Sequence, residues 1–325
     1  MKIISKVKNS HIEVAEINAL AQNPADFIAY CEKGYFDQIN EIVEQVLSSN
    51  GRYRVILLAG PSSSGKTTTA HKLSEGFAKN GVHAPVVSLD DFFLGMASYP
   101  KLPDGTPDME SVEALDLPLV NATLGCLLGQ GCATFPIFDF NNSVRSSHTN
   151  IIELGERGVL IVEGLHALNP RLVEVLDPSA LYRAYVSTRT KYMDGETEVL
   201  TPKDARLIRR MVRDHNFRNR SPLETLLAWE DVLDGEEKYI YPFRDGVDYK
   251  IDSSLDYEGC VFHHYILPMI EALKDDRVYS GKVKQIVDLL EAFDDIDYRY
   301  IPEDSLLREF IGSASEVESK STKNL

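Results

Sequence analysis

The stretch LAGPSSSGKTTTA, residues 58–70, places small and polar residues between two apolar segments. The apolar run before it is typical of a buried strand, and the amphipathic segment after it is typical of a helix. Gly60 to Thr67 fits the pattern G-x-x-x-x-G-K-[ST], which has physical meaning only between a strand and a helix. The chain is therefore expected to adopt an α/β fold with this loop at the end of a strand.

A loop of this kind binds anions, because its backbone N–H groups turn inward and the following helix adds its positive dipole end. Glycines are required where a side chain would collide with phosphate or where φ is positive. We expect Lys66 to reach the β- and γ-phosphates of ATP or GTP, and the hydroxyl of Thr67 to ligate Mg²⁺. The predicted nucleotide-binding residues are Gly60, Ser62, Ser63, Ser64, Gly65, Lys66, Thr67 and Thr68.

Short apolar runs separated by helical patterns continue along the chain. The runs with strand character are 54–60, 84–91, 158–164, 181–188 and 248–254. They alternate little, which indicates burial on both faces and hence a parallel sheet covered by helices on both sides. Residues 131–141 predict a further strand in a small side hairpin. The pattern predicts a P-loop NTPase fold with about five parallel strands.

Helical patterns flank this region at both ends. Apolar residues recur at a spacing of three to four in residues 24–49, and VKQIVDLLEAF continues the helical pattern near the C-terminus. We expect an N-terminal helical extension over residues 1–50, a P-loop domain over 51–275, and a C-terminal helical extension with a polar tail over 276–325.

The composition limits the classes of partner. With 34 Lys and Arg against 50 Asp and Glu, the net charge is −16, which argues against a nucleic-acid or anionic-membrane partner. The sequence has no apolar run long enough to span a membrane, and the N-terminus lacks the apolar core of a signal peptide. The four cysteines form no CxxC pair, which is typical of reduced thiols in a cytoplasmic protein.

Acidic residues follow two of the predicted strands. Asp90 and Asp91 end the run VVSLDD, and we expect this strand to neighbour the one before the phosphate loop. We interpret Asp90 as a general base that also helps to organise Mg²⁺, and Asp91 as a helix cap. Glu163 ends the run LIVE and is interpreted as an acid that acts on Mg²⁺ through water. The alternative for Glu163 is a simple turn contact.

Six arginines lie within the fifteen residues RLIRRMVRDHNFRNR, which is unusual in so acidic a chain. Several share one helical face, because their spacing is three to four residues. One interpretation is a solvated face with i,i+4 ion pairs. The other is a lid whose guanidinium groups offset the charge that develops on transferring phosphates. We expect Arg210, Arg213 and Arg218 to be ligands, and Arg206 and Arg209 to be structural.

Taken together, these motifs resemble the uridine kinase/phosphoribulokinase family of P-loop kinases. The segments that carry the resemblance are GPSSSGKTT, SLDDFF, PDMESVEALD, FPIFDFNNSVR, VLIVEG and RRMVRDHNFRNR, in that order over about residues 52–270. The resemblance implies transfer of phosphate from ATP or GTP to the 5′-hydroxyl of a pyrimidine nucleoside such as uridine or cytidine, with Mg²⁺, in a homo-oligomer. IPEDSLLREFIG, residues 301–312, further resembles a bacterial subgroup of uridine-kinase-like nucleoside kinases.

The resemblance also implies roles for individual residues in catalysis. Asp90 corresponds to the family's base, and Lys66 belongs to the catalytic set together with the lid arginines. Arg213 and Arg218 match arginines that contact the phosphates, and Arg210 matches an arginine that contacts the ribose. The implied metal-binding residues are Thr67, Asp90 and Glu163.

The implied acceptor site departs from the family where it would contact the base. Glu110 stands where the family usually has an Asp that binds the ribose hydroxyls. Uridine kinases typically carry a Tyr and a His that bind the pyrimidine edge, and here these positions read Phe138 and Ser143. Lost polar contacts reduce discrimination between substrates, so the preferred nucleoside stays open. The predicted acceptor-binding residues are Asp90, Phe93, Glu110, Phe138, Phe140, Arg145 and Arg210.

Other classes of function share the phosphate loop. A regulatory GTPase would need an N-K-x-D motif and a D-x-x-G switch, and VEGLHAL after the third strand does not supply the switch. A kinase of another small hydroxyl metabolite, such as a sugar or a pantothenate-like molecule, and a non-catalytic nucleotide-binding protein stay open. Residues 95–150 contain only Lys101 and Arg145 as fixed cations, which favours an uncharged acceptor.

Overall fold

The computed structural model describes residues 11–139, 142–270, 273 and 280–315. In chain order, its strands are β1 (His11–Glu13), β2 (Val55–Ala59), β3 (Val86–Ser88), β4 (Cys132–Asp139), β5 (Val144–Glu153), β6 (Leu160–Glu163), β7 (Leu181–Ser187), β8 (Lys191–Asp194), β9 (Thr197–Leu200) and β10 (Tyr249–Asp252). Its α-helices are α1 (Val14–Ala21), α2 (Pro24–Leu47), α3 (Lys66–Lys79), α4 (Leu117–Gln130), α5 (Pro202–Phe217), α6 (Pro222–Leu227), α7 (Trp229–Tyr239), α8 (Glu258–Ile270), α9 (Ser280–Leu290) and α10 (Arg308–Ile311).

Five strands form one parallel sheet in the order β10-β7-β2-β6-β3. Each of the five apolar runs in the sequence contains one of these strands. The central strands β2 and β6 are buried along their whole length, because both of their faces are covered. The predicted α/β P-loop fold with about five parallel strands is therefore confirmed.

The two faces of the sheet belong to separate apolar cores. Successive residues of a strand point to opposite faces. Ile56 and Leu58 join a core that includes residues of α2, α3, α5 and α8. Val55, Leu57 and Ala59 join a second core, which includes residues of α4 and of the hairpin β4-β5. The sheet therefore has a large helical layer on one face and a smaller mixed layer on the other.

The strand that leads to Asp90 does not neighbour the strand before the phosphate loop, and this sequence-based expectation was wrong. Strand β6 lies between them, with Glu163 opposite Leu58 on one side and Ser88 on the other. Chain order does not reveal this, because a crossover connection can skip a position in a parallel sheet. The three strand ends nevertheless meet at one edge of the sheet.

Two smaller sheets accompany the central one. Strands β4 and β5 form the antiparallel side hairpin that residues 131–141 predicted, with an irregularity between Pro136 and Phe138. A three-stranded sheet in the order β1-β8-β9 was not predicted. Its strands have only three or four residues each, too few to show a period of two in the sequence.

The terminal segments pack on the central sheet. Helices α1, α2 and α9 contribute buried apolar residues to the core that contains Ile56 and Leu58 of β2. The segment 301–312, called the C-terminal strap from here on, contributes Leu306, Leu307 and Phe310, which are fully buried. The domain boundaries at 50 and 275 stay a prediction. No helix among the described residues is long and apolar enough to cross a membrane.

A buried ion pair joins α5 to α8. The Nε of Arg209 lies 2.6 Å from Oε2 of Glu258, and both side chains are almost fully excluded from solvent. Arg209 also donates to the carbonyl oxygen of Ser253 at 2.7 Å. Removing one member of such a pair leaves the other charged group buried without compensation.

We expect Arg209→Met to lower the free energy of unfolding by about 3–5 kcal/mol, because Glu258 then stays buried without its partner. Urea denaturation measures this. Lys33→Met is the matched control, since Lys33 pairs with Asp37 at 2.5 Å on the exposed surface of α2 and the change should cost less than about 1 kcal/mol. Equal effects of the two substitutions would contradict the structural role of Arg209.

Candidate active site

The phosphate loop, residues 60–67, leaves the end of β2 and runs into α3. A Cβ on Gly60 would lie 2.2 Å from the carbonyl oxygen of Val186 on β7, so a side chain does not fit there. Gly65 has a φ of +84°, and a Cβ on it would lie 2.5 Å from Leu306 of the C-terminal strap. Both glycines are thus required by specific neighbouring atoms.

The three serines of the loop are buried. The hydroxyl groups of Ser63 and Ser64 have no hydrogen-bond partner within the part of the chain that the structure describes. Buried hydroxyls normally have one. Unsatisfied donors beside the N-terminus of α3 fit a ligand rich in oxygen acceptors, such as a phosphate chain.

Lys66 is the first residue of α3, and its Nζ donates to the carbonyl oxygen of Pro61 at 3.0 Å. Burial lowers the pKa of Lys66, while the negative charges of Glu163 and Asp90 oppose this shift. The lysine, the two carboxylates and the phosphate loop therefore occupy one small region at the edge of the sheet.

The carboxylates at the strand ends have different surroundings. Glu163 accepts a hydrogen bond from Ser88 Oγ at 2.6 Å, and burial together with the nearby Asp90 raises the pKa of Glu163 to about 7. Asp90 lies half-buried in a turn directly after β3. Asp91 instead accepts the N–H of Phe138 at 3.1 Å and ties this turn to the hairpin β4-β5.

These groups fit a magnesium ion bound together with phosphates. Within the described ranges, no three His, Cys, Asp or Glu side chains are grouped so that they could hold a metal by themselves. Mg²⁺ does not need such a cage, because it usually takes one or two protein oxygens and completes its shell with phosphate oxygens and water. The exposed hydroxyl of Thr67 and the carboxylates of Asp90 and Glu163 are donors of this type.

Three of the predicted arginines converge on Asp214, which is fully buried on α5. An oxygen of Asp214 lies 3.4 Å from the Nε of Arg210, and the other lies 3.4 Å from the Nε of Arg213. Arg218 Nη1 lies at the same distance of 3.4 Å. Sequence reasoning missed Asp214, although an acid among six arginines is a signal that such reasoning can use.

Arg210 also reaches the phosphate loop, where its Nη1 donates to Ser62 Oγ at 2.7 Å. Arg206 lies one turn earlier on α5 and forms a two-point ion pair with Glu236 at 2.6 and 2.8 Å. Arg206 donates to the carbonyl oxygen of Ser62 at 3.1 Å, and Glu236 accepts the N–H of Ser62 at 2.9 Å. Arg206 and Arg209 both form buried ion pairs with glutamates, and their structural role stays a prediction.

Aromatic side chains line the side of the site near Asp90. The rings of Phe93 and Phe138 lie 5.7 Å apart, and the ring of Tyr99 lies 5.8 Å from Phe93. Burial and the charge of Asp90 raise the pKa of Tyr99, which sequence reasoning had not selected. These three residues are called the aromatic wall from here on. Phe140 lies outside the described residues.

Glu110 is held close to the arginines. Its side chain packs on α7, where a Cβ on Gly235 would lie 2.4 Å from the Cβ of Glu110. Burial raises the pKa of Glu110 to about 7, and the positive charge of Arg210 only partly offsets this. A carboxylate with this pKa accepts hydrogen bonds from hydroxyl groups once it is ionised.

Arg145, another predicted acceptor ligand, lies on β5. Its Nη2 is 3.0 Å from Oδ2 of Asp116, which caps the N-terminus of α4. The guanidinium of Arg145 is therefore already paired with a carboxylate. Ser143, which stands at the position of the family's His, has a φ of +54° in the turn of the hairpin.

The pKa of Glu110 predicts that stability depends on pH. Because its pKa is raised from 4.5 to about 7 on folding, its contribution to the free energy of unfolding is full below 4.5 and is lost as the pH rises through 7. Glu110→Gln should flatten this loss, which urea denaturation between about pH 5 and pH 7.5 measures. Glu156→Gln, at an exposed position, should keep the wild-type slope. An unchanged slope in Glu110→Gln would contradict the assignment.

The chain is similar to curated proteins named uridine kinase. It is 26% identical to the uridine kinase of Ureaplasma parvum serovar 3 over 179 residues, which are 55% of this chain and 77% of the relative. It is 28% identical to the uridine kinase of Deinococcus deserti over 190 residues, 58% of this chain and 79% of the relative. A solved structure titled a "Possible Uridine Kinase" from Bacillus stearothermophilus covers 66% of this chain and 98% of its own, at 18% identity and a TM-score of 0.44.

The sequence profile of the Phosphoribulokinase / Uridine kinase family matches residues 55–256. This range includes the whole parallel sheet, the phosphate loop, both strand-end carboxylates and the arginine helix α5. It spans well over half of the chain. The protein therefore belongs to the phosphoribulokinase / uridine kinase family of P-loop kinases.

Proposed function

We propose that the protein is a nucleoside kinase, which transfers the γ-phosphate of ATP or GTP to the 5′-hydroxyl of a nucleoside, with a pyrimidine nucleoside such as uridine or cytidine as the expected acceptor. The supporting observation is that the charge of Asp90 acts both on Lys66 of the phosphate loop and on Tyr99 of the aromatic wall. A phosphate loop alone suits any nucleoside triphosphatase. A general base close to aromatic residues is what phosphorylation of a nucleoside requires in addition.

The donor would lie along the loop with its phosphates toward the arginines. The backbone N–H groups at the start of α3, the hydroxyls of Ser63 and Ser64, and the Lys66 ammonium are the donors that would bind it. Arg213 and Arg218 would offset the negative charge that grows on the transferring group. Asp214 holds both guanidinium groups in place before the substrate arrives.

Asp90 would accept the proton of the 5′-hydroxyl. The hydroxyl oxygen then forms a bond to the γ-phosphorus, the bond from that phosphorus to the β–γ bridging oxygen breaks, and the nucleoside diphosphate leaves with the bridging electrons. Asp90 suits this role better than Asp91, because Asp91 is already bonded to the amide of Phe138. Mg²⁺ held near Thr67, Asp90 and Glu163 would neutralise charge on the phosphates.

The acceptor would stack on the aromatic wall, with its ribose toward Glu110 and Arg210. An aromatic wall binds any nucleobase, because every base presents a flat face. The pair Arg145–Asp116 leaves little free positive charge at this end of the site, which favours an uncharged nucleoside over a sugar phosphate.

A kinase of another small hydroxyl metabolite is the second candidate. The observation in its favour is that Phe138 and Ser143 offer fewer polar contacts to a pyrimidine edge than Tyr and His would. A panel of acceptors separates the two candidates. With ATP and Mg²⁺, we expect the protein to phosphorylate at least one of uridine, cytidine, adenosine and guanosine to its monophosphate. We expect it to leave ribose and pantothenate unphosphorylated. Product from ribose or pantothenate alone would refute a nucleoside kinase.

We also propose a cytoplasmic enzyme that acts as a homo-oligomer and does not bind nucleic acid or membrane surfaces. The net charge of −16 and the four free cysteines support the location and the absence of polyanionic partners. The oligomer rests on the resemblance to the family.

Asp90→Asn should lower kcat by at least about 10²-fold, because the 5′-hydroxyl loses its proton acceptor, while the affinity for ADP stays close to that of the wild type. Steady-state kinetics with the best nucleoside and calorimetric titration with ADP measure the two effects. Asp91→Asn is the control, because its side-chain oxygen can still accept the N–H of Phe138. A kcat for Asp90→Asn within a few-fold of the wild type would rule out Asp90 as the general base.

Lys66→Ala should reduce phosphate transfer to below about a hundredth of the wild-type rate and leave the fold intact, because the lysine charge acts on the phosphates. Kinetic assays and thermal unfolding measure the two effects. Lys79→Ala, at the exposed end of the same helix, should be active. Comparable rates for Lys66→Ala and Lys79→Ala would refute the assignment of the loop.

A further inference from the structure

A carboxylate from the C-terminal strap occupies donors of the phosphate site. Glu309 Oε2 accepts the Thr68 N–H at 3.2 Å and the Thr68 hydroxyl at 2.6 Å. Thr68 lies in the first turn of α3, where backbone N–H groups have no partner inside the helix. The contact joins residues that are 241 positions apart in the chain.

The residues on both sides of Glu309 are held by buried contacts. Leu306 packs against Gly65 of the phosphate loop, and Phe310 is fully buried beneath the guanidinium of Arg209. Arg308 donates to the carbonyl oxygens of Ile301 and Gly312 at 2.6 and 3.1 Å and closes the strap on itself. Glu309 is half-buried, unlike its neighbours on either side of the turn.

The position of Glu309 matters for a phosphate chain. In loops of this pattern the lysine reaches the β- and γ-phosphates, and the amides of the loop and of the first helical turn cradle the α- and β-phosphates. Thr68 follows Lys66 and Thr67, so its N–H and hydroxyl belong to the α-phosphate end. The charge of Glu309 acts on both Lys66 and Glu163, which places its carboxylate beside the phosphate site. An α-phosphate and the Glu309 carboxylate would compete for the same two donors.

We propose that Glu309 stands in for the α-phosphate of the donor nucleotide, and that the nucleotide binds only when this side chain swings away from Thr68. Glu309 then sets the affinity for the donor. The proposal rests on the proposed function, because it takes the phosphate loop to be a nucleotide site. A side chain that occupies its own binding site roughly nine-tenths of the time weakens ligand binding about tenfold.

A purely structural role for Glu309 predicts the opposite result. A carboxylate at a helix N-terminus can act as a cap that stabilises the helix. If that were its whole role, its loss would loosen the start of α3 and weaken the binding of a nucleotide. The sign of the change in affinity therefore separates competition from capping.

The test is calorimetric titration of the full chain with ADP and Mg²⁺, in the absence of an acceptor. We expect Glu309→Ala to lower the Kd for ADP about tenfold and Glu309→Gln to lower it by less, since a neutral amide oxygen is a weaker acceptor than a carboxylate. Asp304→Asn is the control, because it removes the same charge from the same strap at a residue that pairs with Lys72 at 3.5 Å. Its Kd for ADP should stay within about twofold of the wild-type value.

Unchanged or weaker ADP binding by both Glu309 variants would overturn the proposal, and the wild type would still be a nucleotide-binding protein. A gain of the same size in Asp304→Asn would also overturn it, because the effect would then come from net charge. If neither the wild type nor any variant binds ADP or GDP, the proposed function fails as well. Binding that is measurable only in the Glu309 variants would support competition.

Discussion

The shape of the phosphate loop depends on two buried arginine–glutamate pairs beneath it. Arg206 and Glu236 together bond to the carbonyl and the amide of Ser62, and Arg209, paired with Glu258, reaches the carbonyl of Ser63 at 3.5 Å. Their burial strengthens these interactions and makes the loss of either partner costly. The loop can thus hold, next to the site where an anion is expected, two serine hydroxyls with no partner among the described residues and a glycine with positive φ.

The parallel sheet places the acidic residues of the candidate site next to this loop. The carboxyl ends of β2, β6 and β3 meet at one edge of the sheet. The phosphate loop, Asp90 and Glu163 therefore lie together, although about a hundred residues separate the loop from Glu163 in the chain. Burial raises the pKa values of Glu163 and Glu110 there, and neighbouring carboxylates add to this shift. The arginines that converge on Asp214 offset part of this negative charge, because Arg210 acts on Glu110 and Arg218 interacts with Asp90.

The strands of the sheet and the phosphate loop could be predicted from the sequence, because local patterns determine them. The strand order and the contacts between distant segments could not. Apolar runs such as VILLA and LIVE predict their strands, because these strands are buried on both faces. The loop motif predicts a phosphate-binding turn between a strand and a helix. The order of the strands could not be read, because β6 enters between β2 and β3 through a crossover. The contacts of Tyr99 with Phe93 and of Glu309 with Thr68 depend on tertiary packing, which no local pattern encodes.

The relation between Asp90 and the phosphate loop is tested most directly by a crystal structure of the protein with ADP, Mg²⁺ and a nucleoside that it phosphorylates. The β-phosphate should lie against the amides of residues 63–67, and a carboxylate oxygen of Asp90 should lie within about 2.6–3.2 Å of the acceptor hydroxyl. An Asp90 side chain that points away from the loop, with no space for an alcohol between the two, would contradict phosphate transfer by these residues.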